Sequence, residues 1–313
     1  MISLYAQAMI NFSYNLSPIL KNNLGSIELL RQKILLTPLS PKTELHLRFE
    51  ATASRIYWAL IFSKQKSINK SKVTKLIINR QEKEKLKKED QEVLKYKRAL
   101  DYIGQNWLVA KKLVTPKDVI NLHKIASFGR FNSSEKNLKQ LLDYLQKASD
   151  HPVVQAAVTY IQIINMAPFT HGNTKAASLL ALLFLYKAGY DFRGFLVLEQ
   201  CWHPDLIIYR DNLTPLLEDF SKILANKLEK TASLEPGTYE PMVGVPENFW
   251  ELSERQKEIL TYLEQPNSSI TNKKVQKFFG VSQITASRDL AKLANLGLLF
   301  IHGKGRSVFY TKV

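Results

Sequence analysis

Aliphatic residues return at helical spacing from Leu24 to Leu36, again from Leu45 to Phe62, and onward through most of the chain to Leu228. Apolar positions three and four apart line one face of an α-helix, whereas a half-buried strand alternates with a period of two. Sustained over so long a stretch, the pattern restricts the first part of the chain to an all-helical domain, residues 1–232. Local punctuation agrees. Thr115-Pro116 opens a helix over Lys117–Ile125, with the proline in the first turn, where its missing N–H costs nothing. Gly189 follows the run Ala176–Ala188 as a C-terminal cap. No repeat of 20–50 residues is present.

The pattern then breaks. Ser233 to Pro246 holds three prolines and two glycines, which marks a linker, assigned to residues 233–248. Residues 249–313 read differently. Ser253 and Gln256 are spaced as a capping box ahead of Ile259, Leu260 and Leu263. Asn272–Phe279 forms a second short helix closed by Gly280, and Ser282 caps a third that runs to about Asn295, ended by Gly297. Leu298–His302 and Ser307–Thr311 read as strands around the glycine-rich turn Gly303–Arg306. The expected fold class is mostly α: an all-helical domain followed by a small α+β domain.

Charge narrows the partners. The 313 residues carry 44 Lys and Arg against 28 Asp and Glu, a formal charge of +16 and a pI near 9.6. Such an excess favours polyanions, nucleic acid first. Between Lys64 and Arg98 there are 13 basic and 5 acidic residues, and from Phe249 to Val313 there are 10 and 5. A charge run of the first kind also serves simply as a solvated helical face. With a mean hydropathy of -0.18 and no apolar run near the ~20 residues of a membrane span, no membrane association is expected. The start of the chain lacks the form of a signal peptide. The single cysteine, Cys201, fits a reducing cytoplasm.

The C-terminal order of helix, short helix, turn, longer helix and hairpin, with Val281–Leu290 and then Leu293 and Leu296–Leu299, resembles bacterial winged helix-turn-helix regulators of the DeoR type. That resemblance implies DNA as partner. Gln283, Thr285, Ser287 and Arg288 project from the first turns of the third helix, where Arg and Gln can read guanine and adenine edges in the major groove. Lys304 and Arg306 on the wing would meet the phosphate backbone or the minor groove. Two other uses stay open: an internal Arg288–Asp289 ion pair, and a winged helix that binds protein.

Within the helical part, Met166-Ala167-Pro168-Phe169-Thr170-His171-Gly172-Asn173-Thr174-Lys175 resembles the signature of the Fic (Fido) family, His-Pro-Phe-x-Asp/Glu-Gly-Asn-Gly-Arg. Val119–His123, His151–Ala157 and Leu179–Tyr190 extend the similarity to about residues 20–230. In that family the His is the general base of adenylyl transfer to a protein hydroxyl, the acid binds Mg²⁺, and the Arg neutralises phosphate. Here Ala167 stands at the His position, His171 at the acid, Thr174 at a glycine, Lys175 at the Arg and Ser178 where a second Arg is common. Ala cannot take a proton, His is a poor ligand for a hard ion, Thr restricts the backbone, and Lys lacks the planar fork. No catalytic residue is therefore intact and no metal site is expected. Phe169, Gly172, Asn173 and Lys175 remain as a nucleotide-binding remnant, leaving room for weak ATP binding with no cofactor required.

Glu50–Trp58 resembles the family's inhibitory helix, with Ser54 retained and Tyr57 in place of its Glu. Tyr57 and Trp58 would then fill the vacated nucleotide cleft. The segment Lys124–Asp150, including Gly129–Asn132, is short for the family's target-docking hairpin. The readings are a cytoplasmic DNA-binding regulator, homodimeric if its target is palindromic, whose Fic-like body is inactive in AMP transfer; a divergent Fic adenylyltransferase; or a protein-interaction scaffold.

Overall fold

A computed structural model describes residues 12–63, 68–78, 86–127, 129–147, 150–202, 212–233, 247–303 and 305–313. The body comprises α1 (Pro18–Leu36), α2 (Pro41–Phe62), α3 (Lys70–Ile78), α4 (Lys88–Trp107), α5 (Pro116–Ala126), α6 (Glu135–Lys147), α7 (Pro152–Met166), α8 (Asn173–Lys187) and α9 (Thr214–Ala232). Ser17, Ser40 and Thr115 accept backbone N–H bonds at the starts of α1, α2 and α5, each followed by a proline. At α5 the cap is reciprocal, because Asp118 returns a bond to Thr115. The helix α8 is apolar all round: Ala176, Ala177 and every residue from Leu179 to Leu185 are buried. A helix with no polar face belongs at the centre of a fold, and α7 packs along it while α1 pairs with α9.

The C-terminal unit comprises α10 (Glu254–Tyr262), α11 (Asn272–Phe279), α12 (Gln283–Asn295), β1 (Leu299–His302) and β2 (Phe309–Lys312). Its own core contains Ile259, Leu263, Ile270, Val275, Ala286, Leu290 and Leu293. The strands pair antiparallel, Leu299 opposite Lys312 and His302 opposite Phe309, and Ile270 bridges to Tyr310 on the far side of β2. The second strand starts two residues later than its sequence suggests. Gly305–Ser307 turns in a short 3-10 helix, and a Cβ on Gly303 would lie 2.3 Å from the Ser307 carbonyl oxygen, so the chain is still turning there.

The two units are docked. Phe249 and Trp250, assigned by sequence to the C-terminal domain, pack in the body's core against Phe49 at ring separations of 5.6 and 5.4 Å. Asn295 Nδ2 donates to the Ile78 carbonyl at 3.0 Å, and Leu296 is buried in the same core. Most of the linker, Lys304, the side chain of Arg306, and the parts of the basic block at 64–67 and 79–85 lie outside the described residues. Among the described residues no helix is long and apolar enough to cross a membrane.

Candidate functional site

Two places gather the residues singled out by sequence: the loop between α7 and α8, and the exposed start of α12. The loop begins where α7 ends. Ala167 caps that helix in the left-handed conformation, φ 42°, and its N–H still bonds the Ile163 carbonyl at 3.0 Å. Its methyl group is exposed and offers no group that can accept a proton. Phe169 turns inward, stacks on His123 at 3.6 Å, and meets Phe131 edge-on at 5.8 Å. His123 Nε2 lies 2.8 Å from the His171 carbonyl oxygen, which fixes Nε2 as the protonated nitrogen, and the His171 side chain points to solvent.

The loop is closed on itself. Asn173 Oδ1 accepts from the Phe169 N–H at 3.0 Å, and its Nδ2 donates back to the Phe169 carbonyl at 2.7 Å. Gly172, at φ 80°, has no room for a side chain, since a Cβ would come 2.4 Å from Ser127 Oγ. Lys175 is buried and its Nζ donates to Glu92 Oε2 on α4 at 2.7 Å. Its charge is thus already matched by a carboxylate, which lowers what it can offer a phosphate. Thr174 sits in regular helix, so the restriction anticipated for it produces no strain; the positive-φ positions are Ala167 and Gly172. Among the described residues no group of three His, Cys, Asp or Glu is placed to hold a metal ion. No side chain caps the N-terminus of α8, whose first N–H groups leave a weak anion-binding feature.

The short segment over the loop is more ordered than its composition suggests. Phe131 forms an antiparallel bridge with Phe169, Asn132 N–H bonds the Pro168 carbonyl, and Thr170 N–H bonds the Arg130 carbonyl, both at 2.9 Å. This is one bridge and not a hairpin. On α2, Ser54 is buried, while Tyr57 lies edge-on to Trp58, which packs on Phe62. The neighbouring Arg55 is also buried, 3.2 Å from Glu199, whose other oxygen accepts from Tyr96 at 2.8 Å. Spacing in the sequence flagged neither Glu92 nor Glu199, because each partner lies tens of residues away.

His123 gives this region a pH signature. Burial pushes its pKa below the ordinary imidazole value, helped by Lys175 and Lys95 and opposed by the bond to the His171 carbonyl. The fold therefore holds it neutral. Its contribution to stability is fully present above the unfolded value of about 6.5 and is lost as pH falls toward the lower folded value. Thermal melts from pH 7.5 to 5 should show a smaller acid loss for His123→Gln than for wild type. Part of the loss will persist, because burial also lowers His46 and His151. Parallel curves for the two proteins would rule out this assignment.

At α12 the side chains sort by face. Ala286, Leu290 and Leu293 are buried, whereas Ile284, although apolar, is 64% exposed. Asp289 is buried and held from α10, by Arg255 Nε at 2.5 Å and Gln256 Nε2 at 2.8 Å. It is therefore not the partner of Arg288. Gln283 and Arg288 are exposed and have no side-chain partner among the described residues. Thr285 joins the cap, with its N–H on Ser282 Oγ at 3.2 Å. Ser287 Oγ accepts from Asn272 Nδ2 at 2.8 Å, and the same amide donates to the Gln283 carbonyl, tying α11 to α12. The exposed face of the first turns of α12, the candidate reading face, thus presents Gln283, Ile284, Ser287 and Arg288.

Comparison with known proteins agrees with this division. Residues 255–312 match the DeoR-like helix-turn-helix domain, and residues 113–185 match the Fic/DOC family. The chain carries a Fic/DOC domain joined to a DeoR-like helix-turn-helix domain. A curated relative from Nematostella vectensis, named Protein adenylyltransferase Fic, is 26% identical over 127 residues, covering 33% of this chain and 30% of that protein. The chain thus spans under a third of that relative's length. A crystal structure of a Fic family protein from Desulfovibrio desulfuricans has a TM-score of 0.58 at 15% identity, covering 96% of this chain and 98% of that one. Fic-1 from C. elegans gives 0.51 at 16% identity, covering 68% of this chain and 69% of that one. At such identities the likeness concerns the fold alone.

Proposed function

We propose that this protein is a DNA-binding regulator whose Fic domain does not transfer AMP and serves as a body on which the DNA-reading unit is seated. The observation that carries the proposal is the diversion of Asp289. Held by Arg255 and Gln256, it leaves Arg288 as a cation on an exposed helix face beside Gln283. An arginine and a glutamine in the first turns of such a helix match guanine and adenine edges. The basic excess of residues 249–313 adds sequence-independent attraction.

Inactivity is supported by chemistry at the loop. Ala167 has no base to offer, His171 stands where a metal-binding carboxylate would be needed, and Lys175 is committed to Glu92. The Nematostella relative is named as an adenylyltransferase; the same reaction here would need a base from elsewhere. His123 is buried under Phe169, and its Nε2 is spent on a carbonyl. No cofactor is required in this reading, and the protein works in the cytoplasm, as a homodimer where its target is palindromic.

Selection from a pool of random duplexes, at two salt concentrations and with or without ATP and Mg²⁺, tests the proposal. The expected result is enrichment of one sequence, together with no AMP transfer to protein acceptors. Binding without enrichment and with a steep salt slope would reduce the reading to charge attraction. AMP transfer that disappears in Asn173→Ala would overturn the claim of inactivity.

A further inference from the structure

The seam between the body and the C-terminal unit is not filled. Between α4, the end of α5 and the corner joining α12 to β1 lies a cavity of about 700 Å³, within the size range of small-molecule sites. Leu94 and Ile125 contribute apolar surface from the body, and Leu299 and Ile301 contribute it from β1. The rim is basic. Lys95 and Arg98 stand one turn apart on α4, and Lys124 comes from the last turn of α5. Among the described residues of the lining the acid is Asp101, which is taken up by Lys97 at 2.5 Å.

Three further cations from two helices therefore surround a concave space. Their proximity registers on Lys95, whose pKa is lowered by burial first and then by Arg98, with Lys175 acting in the same sense and Glu92 against it. Lys95 Nζ also donates to the Ser127 carbonyl at 3.1 Å, which fixes where its ammonium stands. Like charges gathered around a partly desolvated cavity repel one another, and a multivalent anion relieves that repulsion. The apolar wall formed by Leu299 and Ile301 calls for an organic portion beyond the phosphate. Tyr102 and Gln105, also in the lining, supply a ring and an amide for it.

We propose that this seam is an effector site for a small organic phosphate. Lys95, Arg98 and Lys124 hold the phosphate, and β1 covers the organic part. Such a ligand touches both units at once, so its occupancy stiffens the seating of α12 on the body. The binding step stands independently of the DNA-reading proposal; only its consequence for DNA rests on that reading. An extended nucleic acid strand is the alternative occupant, and the experiment below separates it from a small phosphate.

Calorimetric titration of the full chain with ATP in the absence of DNA tests the site, with pyrophosphate as a second probe. ATP is expected to bind, and more tightly than pyrophosphate. The double charge reversal Arg98→Glu/Lys124→Glu, both exposed positions, should weaken ATP binding by about tenfold or more, the loss expected for removing a charge-assisted contact. Lys136→Glu/Lys139→Glu on α6 changes net charge equally at positions outside the described cavity lining, and should leave ATP affinity unchanged. Unaltered melting curves will show that both double variants fold. Three results would overturn the proposal: no binding of ATP or pyrophosphate at millimolar concentration, ATP binding that persists in Arg98→Glu/Lys124→Glu, or a loss confined to binding of random duplex DNA.

Discussion

Arg288→Ala will weaken the complex with the preferred duplex by about 1–3 kcal/mol, or about five- to 150-fold, and will relax selectivity at one base pair. The size follows from the role. Arg288 is exposed and without a side-chain partner among the described residues, so its removal disturbs no packing and the fold should melt as before. A bidentate base contact then accounts for the whole effect. If Arg288 only touched phosphate, the loss would be equal across sequences and the salt slope would fall by about one. Competition assays with the selected duplex and with single-base variants, repeated at two salt concentrations, separate these cases. Equal affinity of variant and wild type for every duplex would remove Arg288 from the reading face. Asp289→Ala is the instructive companion. It lies next in sequence but will unfold the C-terminal unit more readily, because Arg255 and Gln256 lose their shared acceptor in a buried site.

That contrast shows where the sequence was legible. Helix boundaries came from local chemistry: the Thr115-Pro116 start, the box at Ser253/Gln256, the cap at Ser282, and the glycine after α8 all act within four residues. The order of elements at the C-terminus followed from them, and the Pro-Phe and Gly-Asn pairs located the α7–α8 loop. Pairings across the fold were not legible. Nothing near Asp289 pointed to Arg255, 34 residues away, and nothing near Lys175 pointed to Glu92, 83 residues away. The adjacent Arg288 was the natural guess for Asp289, yet neighbours in a helix face directions about 100° apart. Asn173 is a similar case. Its identity pointed to a ligand, while the fold spends both ends of its amide on the backbone of Phe169. Docking of Phe249 and Trp250 into the body had no sequence signal either, since two aromatics after a linker serve equally well in a small local core.

Glu199→Ala will lower the melting temperature more than any surface change, by about 3–5 kcal/mol or roughly 6–12 °C. The carboxylate is completely buried and serves two partners, Arg55 at 3.2 Å and Tyr96 at 2.8 Å. Burial opposes the charge on Arg55, and Glu199 together with Tyr186 and Tyr96 more than offsets that opposition, with Glu199 the largest of the three, so the guanidinium remains charged in the folded protein. Removing Glu199 leaves a buried cation without its counter-charge. Glu199→Gln keeps an acceptor of similar shape yet removes the counter-charge, and should be nearly as damaging. The pair Arg55→Met/Glu199→Leu removes both charges and should recover much of the loss, with Tyr96 left to seek another acceptor. Recovery would separate the cost of an orphaned charge from the cost of an altered packing shape; a double variant as unstable as Glu199→Ala would show that shape dominates. The consequence extends beyond the body. Arg55 lies on α2 less than two turns after Phe49, the ring against which Phe249 and Trp250 pack, so a loosened α2 undermines the seat of the C-terminal unit. Just below the new melting point, Glu199→Ala should lose affinity for the selected duplex although no residue of the reading face has changed. Affinity that tracks the folded fraction would mean that the helix-turn-helix reads DNA only while seated on the Fic domain.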